Sequence, residues 1–500
     1  MLLCALAVHT ANAQSSWQHE LPANDRIVRF TDGVDSGDGL LLVATLHLPS
    51  TFDMQGSGVV QRLSSTGALI SSREIWSDSL ASPFVVIPNQ ANNTFEILGD
   101  YGMNGGYGGF RIRINFDLNG VDSTLYPIPD AVGASLDNSM RTTGGDLIIP
   151  LFFSVELDNP HASLLVIRAG PEGDSISSVR FDTSWVLIAR AIIETLEGAI
   201  IIACGGAPAL PEYDVGFVSY MIFNPQLTYS GGFSGPRIDG SATSPNFQNT
   251  LYDQQALVVL ESGHLLVGGK IGSLSSGHKG AIQKMTVAGQ WLGSVVFDTP
   301  YHNDHPAILR NLTRDQDGNL LFAMVANFEP GPPSPFLPDE PSRVHIYKLD
   351  TALNVLCTNV IDGFAENAYY FVDRIIATHD GGYLLVGSRV DLSGPEQQWV
   401  GWARKFGPDD CFTGMDEAAG APLVSVAPNP GTDELRIALN GPDRIALATL
   451  VDMNGRVAAM EPIRFGQVRF ATQGLAAGVY AYIITDGTGN RIASGRWVKE

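Results

Sequence analysis

"HDGGYLLVGSRV" (His379–Val390) and "ESGHLLVGGKIG" (Glu261–Gly272) are two versions of one phrase in a single chain. Each is a polar turn built on glycine, followed at once by an apolar strand. Five looser versions exist: "GDGLLLVAT" (37–45), "ANNTFEILG" (91–99), "TGGDLIIPL" (143–151), "LEGAIIIAC" (196–204) and "QDGNLLFAM" (316–324). Their turn residues are Gly39, Asn93, Gly145, Gly198, Gly263, Gly318 and Gly381, at intervals of 54, 52, 53, 65, 55 and 63 residues. A repeat of fifty or so residues, with several short strands in each, is the period of a four-stranded propeller blade.

The remainder of each unit agrees. Alternating strands such as "GVVQRLSSTG", "GGFRIRINFDLNG", "GAIQKMTVAGQ" and "RVHIYKLDTAL" supply a third strand with two unlike faces. Short segments such as "ALISSREI", "SISSVRF" and "WLGSVVF" supply a fourth. The seventh unit has its third strand, "WVGWARKF" (399–406), and then no fourth, while "SSWQHELP" (15–22) stands ahead of the first unit without a partner. Pairing these two ends closes the ring and removes its open edges. The fold expected is all-β: a seven-bladed β-propeller over 14–415 closed by the N-terminal strand, followed by a small C-terminal β-sandwich. Six or eight blades are the alternatives, because "GGFSGPRIDGSATSPNFQNT" (231–250) stretches the fourth unit.

Charge narrows the partners. The chain carries a net charge of −22, and it is unevenly placed. Residues 421–500 hold 8 Lys/Arg against 7 Asp/Glu, leaving 22 against 45 in residues 1–420. So acidic a body repels phosphate backbones and anionic lipid, which argues against nucleic acid. At the N-terminus, Leu2–Val8 is a short apolar run ahead of Ala11-Asn12-Ala13, so 1–13 reads as a signal peptide. No charge precedes the run, and the natural start is expected to lie upstream. No segment is long enough to cross a membrane. Three cysteines follow the signal: Cys204 sits in an apolar strand, and Cys357 with Cys411 is the candidate disulfide.

The candidate ligand face is formed by loops between second and third strands and between blades. An aspartate recurs at the end of the fourth strand: Asp25, Asp78, Asp130, Asp182, Asp298 and Asp362, with Asp239 a poorer match. It reads either as an acidic ring at the channel mouth or as a good turn residue. Trp76, Trp185, Tyr301, Tyr369 and Tyr370 lie near the same loops, where a ring beside a carboxylate suits a sugar and equally suits blade packing. "YHNDHP" (301–306) concentrates His302, Asp304 and His305, without a third element to complete a metal site. "RDQDGN" (314–319) is a faint echo of a calcium loop and an ordinary hairpin turn in every other unit. The ligand face expected therefore comprises Trp76, Asp78, Asp182, Trp185, Asp298, His302, Asp304, His305, Asp362 and Tyr369. No catalytic set, cofactor site or resident metal is expected, calcium being the one weak candidate. The proline-rich 327–343 reads as a stiff, solvated insertion.

After a small linker at 416–423 the composition changes. Residues 424–500 pack six or seven short strands separated by turns at Pro428-Asn429-Pro430, Asn454-Gly455 and Gly474. Three ordered motifs stand out: "PNP" at 428–430, "DMNGRV" at 452–457 and "LAAGVYAYII" at 475–484, ahead of a terminal "GRWVKE". On these the segment resembles the type A C-terminal sorting domain of the type IX secretion system, with Pro428, Asn429, Pro430, Gly455, Arg456, Gly478, Tyr480 and Lys499 carrying the match. The resemblance implies passage through the periplasm, recognition by the type IX machinery, and release or attachment at the outer-membrane surface. The repeats also resemble the degenerate propeller units of secreted Bacteroidota proteins. Neither resemblance names a ligand. The expectation is a non-catalytic binding or adhesion module with a glycan or surface-protein ligand. The alternative is a secreted hydrolase or lyase acting on polysaccharide or peptide in the propeller mouth.

Overall fold

The computed structural model describes residues 16–22, 26–47, 56–75, 80–89, 92–103, 106–155, 163–181, 188–206, 217–235, 238–239, 251–273, 277–301, 303–328, 338–393, 398–408, 410, 424–428, 430–439, 446–452, 456–463, 467–486 and 491–499. Residues 1–13, expected as a signal peptide, and 416–423, expected as a linker, lie outside them, as do Trp76, Asp78, Asp182, Trp185, His302, Asn429 and Gly455. The chain divides into two compact units, Met1–Cys411 and Phe412–Glu500.

The first unit is seven antiparallel sheets met in chain order. Blade 1 is Ile27–Asp35, Leu40–His47, Gly56–Leu63 and Leu69–Ile75, and blade 2 is Leu80–Asn89, Thr94–Met103, Gly106–Asn115 and Gly120–Ile128. In blade 3 the inner strand is split into Gly133–Ser135 and Met140–Arg141, both paired with Leu147–Ser154, with Ser163–Ala169 and Ser175–Phe181 outside. Blade 4 is Ile188–Glu194, Ile200–Gly206, Phe217–Phe223 and Tyr229–Ser234, and blade 5 is Tyr252–Val259, Leu265–Ser273, Gly277–Met285 and Trp291–Phe297. Blade 6 repeats the split, with Asp304–Pro306 and Leu312–Arg314 on Leu320–Ala326, then Arg343–Leu349 and Val355–Asp362. Blade 7 is Ala368–Ala377, Tyr383–Asp391 and Val400–Phe406, and its fourth strand is Trp17–Leu21 from the other end of the chain. The register runs Trp17↔Lys405 to Leu21↔Gly401.

Apolar packing shows that the ring is closed. Each blade buries its faces against two neighbours, giving a separate buried cluster at each of the interfaces from 1/2 through 6/7. A further cluster joins blade 7 to blade 1 through Val28, Phe30, Leu40, Ile376, Leu384 and Ala403. At this seam the Trp17 indole donates to the Ser65 carbonyl at 3.1 Å. Its ring lies where a Cβ on Gly67 would sit, 2.4 Å away, and Gly67 is free to take φ +82. Cys204 is free and buried, and Cys357 is disulfide-bonded to a cysteine outside the described residues.

The second unit is two sheets. Val424–Ala427, Glu434–Leu439 and Gln467–Ala471 form one, and Val457–Ile463, Ala446–Val451, Gly478–Asp486 and Arg491–Lys499 the other. Leu435, Ile437 and Phe470 of the first meet Leu450, Ile484 and Trp497 of the second in one core, which makes a β-sandwich.

Closure through Trp17 sets a testable cost. Trp17→Ala removes a half-buried ring and its hydrogen bond, and should lower the stability of the propeller by about 2 kcal/mol. Denaturant unfolding of the full chain measures it. A loss confined to a few tenths would contradict a closing role for this strand.

Candidate functional site

The inner strands carry the polar chemistry of the propeller. Five of them are bulged, at Phe30/Asp32, Pro83/Val85, Ala189/Ala191, Tyr252/Ala256 and Val372/Arg374. The other two are the split strands of blades 3 and 6. All seven irregularities fall at one level of the channel. Phe84, Asp137, Arg190, Gln255, Arg310 and Asp373 each stand ten positions ahead of the first residue of the next strand, and Thr31 stands nine ahead of Leu40. A bulge frees a backbone group and re-aims a side chain, and here carbonyls of blades 1, 2 and 3 receive one arginine of blade 7.

Arg374 is the hub. Its guanidinium is fully buried and donates to Thr31 O (2.8 Å), Phe84 O (3.0 Å), Asp137 O (2.9 Å) and Asn138 Oδ1 (3.2 Å), with the Asp32 carboxylate 3.5 Å away. Asp32 also accepts from the backbone of Val86, 2.9 Å away in blade 2. Burial, reinforced by the nearby Arg310 charge, pulls the Arg374 pKa down to about 10 against the attraction of Asp32, so it stays charged. Beside it Arg29 makes a two-pronged ion pair with buried Asp373, its Nε 2.8 Å from Oδ2. Arg190 pairs with Asp137 at 2.5 Å. Across the channel Asn138 of blade 3 donates to Leu309 O of blade 6 at 3.3 Å. The broken strand of blade 6 turns away from its own sheet to bond blade 7, through Leu309 N to Asp373 O (2.8 Å) and Ile375 N to Arg310 O (3.0 Å).

A second cluster occupies the loop face over blades 5 to 7. His305 is buried; its Nδ1–H donates to Pro306 O at 2.7 Å, and its Nε2 accepts from Lys270 Nζ at 2.9 Å. Both ring nitrogens are thereby engaged. Its ring stacks on Phe328 at 4.3 Å, Phe328 meets Phe371, and Arg29 lies over Phe371, so packing leads from the loop face to the channel. Asp304 turns the other way, accepting from Thr299 Oγ1 at 2.7 Å, and desolvation lifts its pKa to about 6. Asp298 pairs with Lys279 at 2.6 Å. Asp362 caps the short helix Gly363–Glu366, accepting from Phe364 N at 3.2 Å, and pairs with Arg343 at 2.9 Å. Arg343 also bonds the Tyr301 hydroxyl and lies over the rings of Tyr301 (5.4 Å) and Phe364 (4.8 Å), which stack on each other. Phe364 itself is 39% exposed.

The structure thus brings Asp362 together with Tyr301, and separates Asp298, Asp304 and His305 into different bonds. Tyr369 is buried, edge-on to Trp399 at 5.8 Å, and offers nothing to solvent. Asp315 accepts from Asn319 N at 2.8 Å and pairs with Lys348, as a turn residue does. Among the described residues no three His, Cys, Asp or Glu side chains gather as a metal site would need. Sequence reading missed Arg343 and Phe364, and it missed the channel network altogether. The available signal was a polar residue inside an apolar strand, repeated at a fixed offset from the next strand.

In the second unit the motifs meet. The Trp497 indole donates to Pro428 O at 2.8 Å, Gly431 N bonds Val498 O at 2.9 Å, and Tyr480 lies against Trp497 while donating to Ala476 O at 2.8 Å. Asp452 N donates to Arg456 O, and Arg456 N donates to Asp452 Oδ1, each at 2.9 Å.

Residues 425–498 match the family of secretion system C-terminal sorting domains. The tail is therefore a type IX sorting domain, and the protein is exported, to be secreted or held at the outer-membrane surface. No helix among the described residues is long and apolar enough to cross a membrane. No curated protein matches the sequence. Solved structures similar to the chain include an ulvan lyase of a polysaccharide-lyase family (10% identity, 79% of this chain and 97% of that one, TM-score 0.46). A fungal alcohol oxidase in complex with copper is similar at 11% identity over 98% of this chain and 100% of that one, with a TM-score of 0.44. PorZ, a surface component of the type IX secretion system of Porphyromonas gingivalis, is similar at 12% identity over 94% and 75%, with a TM-score of 0.26.

Two outcomes are expected. Arg374→Met strands the Asp32 carboxylate and should cost about 3–5 kcal/mol; Arg374→Lys should not restore it, because one ammonium cannot reach four acceptors in four directions. Denaturant midpoints decide both. Asp304 is an acid whose folded pKa lies above its unfolded value, so the folded state holds the extra proton between about pH 4 and 6. Its contribution to stability falls as pH rises through that window and stays low above it. Asp304→Asn should raise the melting temperature at pH 7 and leave it unchanged at pH 4; the reverse ordering would refute the burial argument.

Proposed function

We propose that the exported propeller is a non-catalytic binding or adhesion module whose ligand, a surface glycan or an extended peptide, docks on the loop face at blade 6. One observation carries this reading: the exposed Phe364 ring stands on a capped four-residue helix, braced by Arg343 and Tyr301, with the half-exposed Asp362 carboxylate beside it. A flat ring takes the C–H face of a pyranose or the side chain of a peptide, while the acid accepts a hydroxyl or amide proton. Capping and ion pairing hold these groups in place before a ligand arrives, which lowers the ordering cost of binding. The strongly acidic body adds a preference. Neutral or amino sugars meet no repulsion, whereas polyanions do. The destination fits as well, since a sorting domain delivers the propeller to a surface rich in glycans.

The test is a glycan and peptide array probed with the full chain, with and without calcium. Specific binding is expected, with Phe364→Ala weakening it at least tenfold in a chain that stays folded and melts lower only by the lost contacts with Tyr301 and Arg343. Binding that ignores Phe364 would move the site elsewhere, and turnover of a bound glycan would favour the hydrolase or lyase reading instead.

A further inference from the structure

The charges of the channel do not balance. Arg29 is matched by Asp373, Arg190 by Asp137 and Arg374 by Asp32. Arg310 is the fourth guanidinium at this level. Among the described residues no carboxylate lies within ion-pair distance of it, and its one hydrogen bond is long, 3.4 Å from NH2 to Asn138 Oδ1. That oxygen already accepts from Arg374 at 3.2 Å, so two like charges converge on one neutral amide. Asp100, the other acid buried near Asp137, is pushed by desolvation to a pKa of about 8 and adds no charge at neutral pH. A guanidinium left without a counter-charge in a low-dielectric channel is costly unless an anion joins it.

Other side chains at this level also lack partners. Asn311, next in the chain to Arg310, is fully buried with its amide packed over Gly268 of blade 5, and neither amide atom makes a hydrogen bond to the protein. Gln255 Oε1 of blade 5 and Ser139 Oγ of blade 3 are buried in the same condition. Buried polar atoms are nearly always satisfied, by the protein or by a bound polar species. Arg310 itself is only half-buried, which leaves its remaining N–H groups reachable along the channel.

We propose that the propeller channel holds a small oxyanion at Arg310. A carboxylate, sulfate or phosphate group presents the planar or forked oxygens that a guanidinium binds through two N–H groups. The loops 136–139 and 307–311 meet across the channel, which restricts the site to a small group. Long polyanions are kept out by that constriction and by the acidic exterior.

The experiment is thermal unfolding of the full chain in acetate, sulfate or glucuronate against chloride at matched ionic strength. A ligand that binds only the folded state raises the transition with concentration. A saturable rise with an oxyanion, absent in chloride, is expected. Arg310→Gln should abolish that rise while unfolding in chloride no lower than the parent, because the variant loses an unmatched charge. Arg26→Gln, at an exposed pair with Glu74, should keep the response. A response to glucuronate alone would assign the group to a glycan uronate, and equal responses would assign it to a free ion. Identical melting in all four salts would overturn the site. So would an oxyanion response that survives in Arg310→Gln.

Discussion

One guanidinium ties the ring together. Arg374 leaves the inner strand of blade 7 and bonds carbonyl oxygens of blades 1, 2 and 3, while the strand around it receives the broken inner strand of blade 6. Apolar contacts join only neighbouring blades, interface by interface. The Arg374 network is what makes blades that are not neighbours depend on each other. Its cost is desolvation of several charges, and a hydrophobic plug of equal volume would serve stability as well. An apolar plug could not distinguish one blade from the next. Seven similar hairpins need something unlike to fix their relative height, and Thr31, Phe84 and Asn138, each on a different blade, receive Arg374 at three fixed positions.

The same constraint explains why the inner strands break where they do. A straight strand turns every backbone group to its sheet neighbour and leaves none for the axis. The bulge at Val372/Arg374 and the splits at 136–139 and 307–311 release carbonyl and amide groups at one level. These irregularities form the channel wall. The loop-face cluster continues from it, since Phe328 and Phe371 carry packing from His305 down to Arg29. Packing at the loop face and charges at the axis are therefore joined through rings.

Much of this architecture was legible in the chain. The turn-and-strand phrase is repeated because every blade needs the same tight connection between its first two strands, and glycine at positive φ serves six of the turns: Gly39, Gly145, Gly198, Gly263, Gly318 and Gly381. The orphan strand at Trp17 was readable because a missing partner is as visible as a present one. The inner strands were harder. Their polar residues interrupt an apolar run and look like noise until aligned from the following strand. Even then, nothing in "FVDRIIATHD" says that Arg374 will bond to residues 31, 84 and 138. Those contacts join positions more than 200 residues apart, and only the closed ring brings them together. Arg343 and Phe364 were missed for a different reason: the importance of each lies in the other, and they are 21 positions apart on different blade elements.

Charge is the thread connecting destination and site. The acidic body keeps the exported propeller apart from anionic surfaces, which suits a protein that must pass the periplasm and remain soluble at a crowded outer membrane. Four of its cations, Arg29, Arg190, Arg310 and Arg374, stand at the channel, where their fields are shielded from the exterior and strengthened by low dielectric. An anion approaching from outside meets repulsion first and attraction only at the axis. Small ions pass that filter because their repulsion is screened within about 8 Å at physiological salt, whereas a polyanion must bring all of its charges along together. With the two sites proposed above, a surface built on rings and one carboxylate over a core built on arginine would separate two kinds of ligand by size before any specific contact is made.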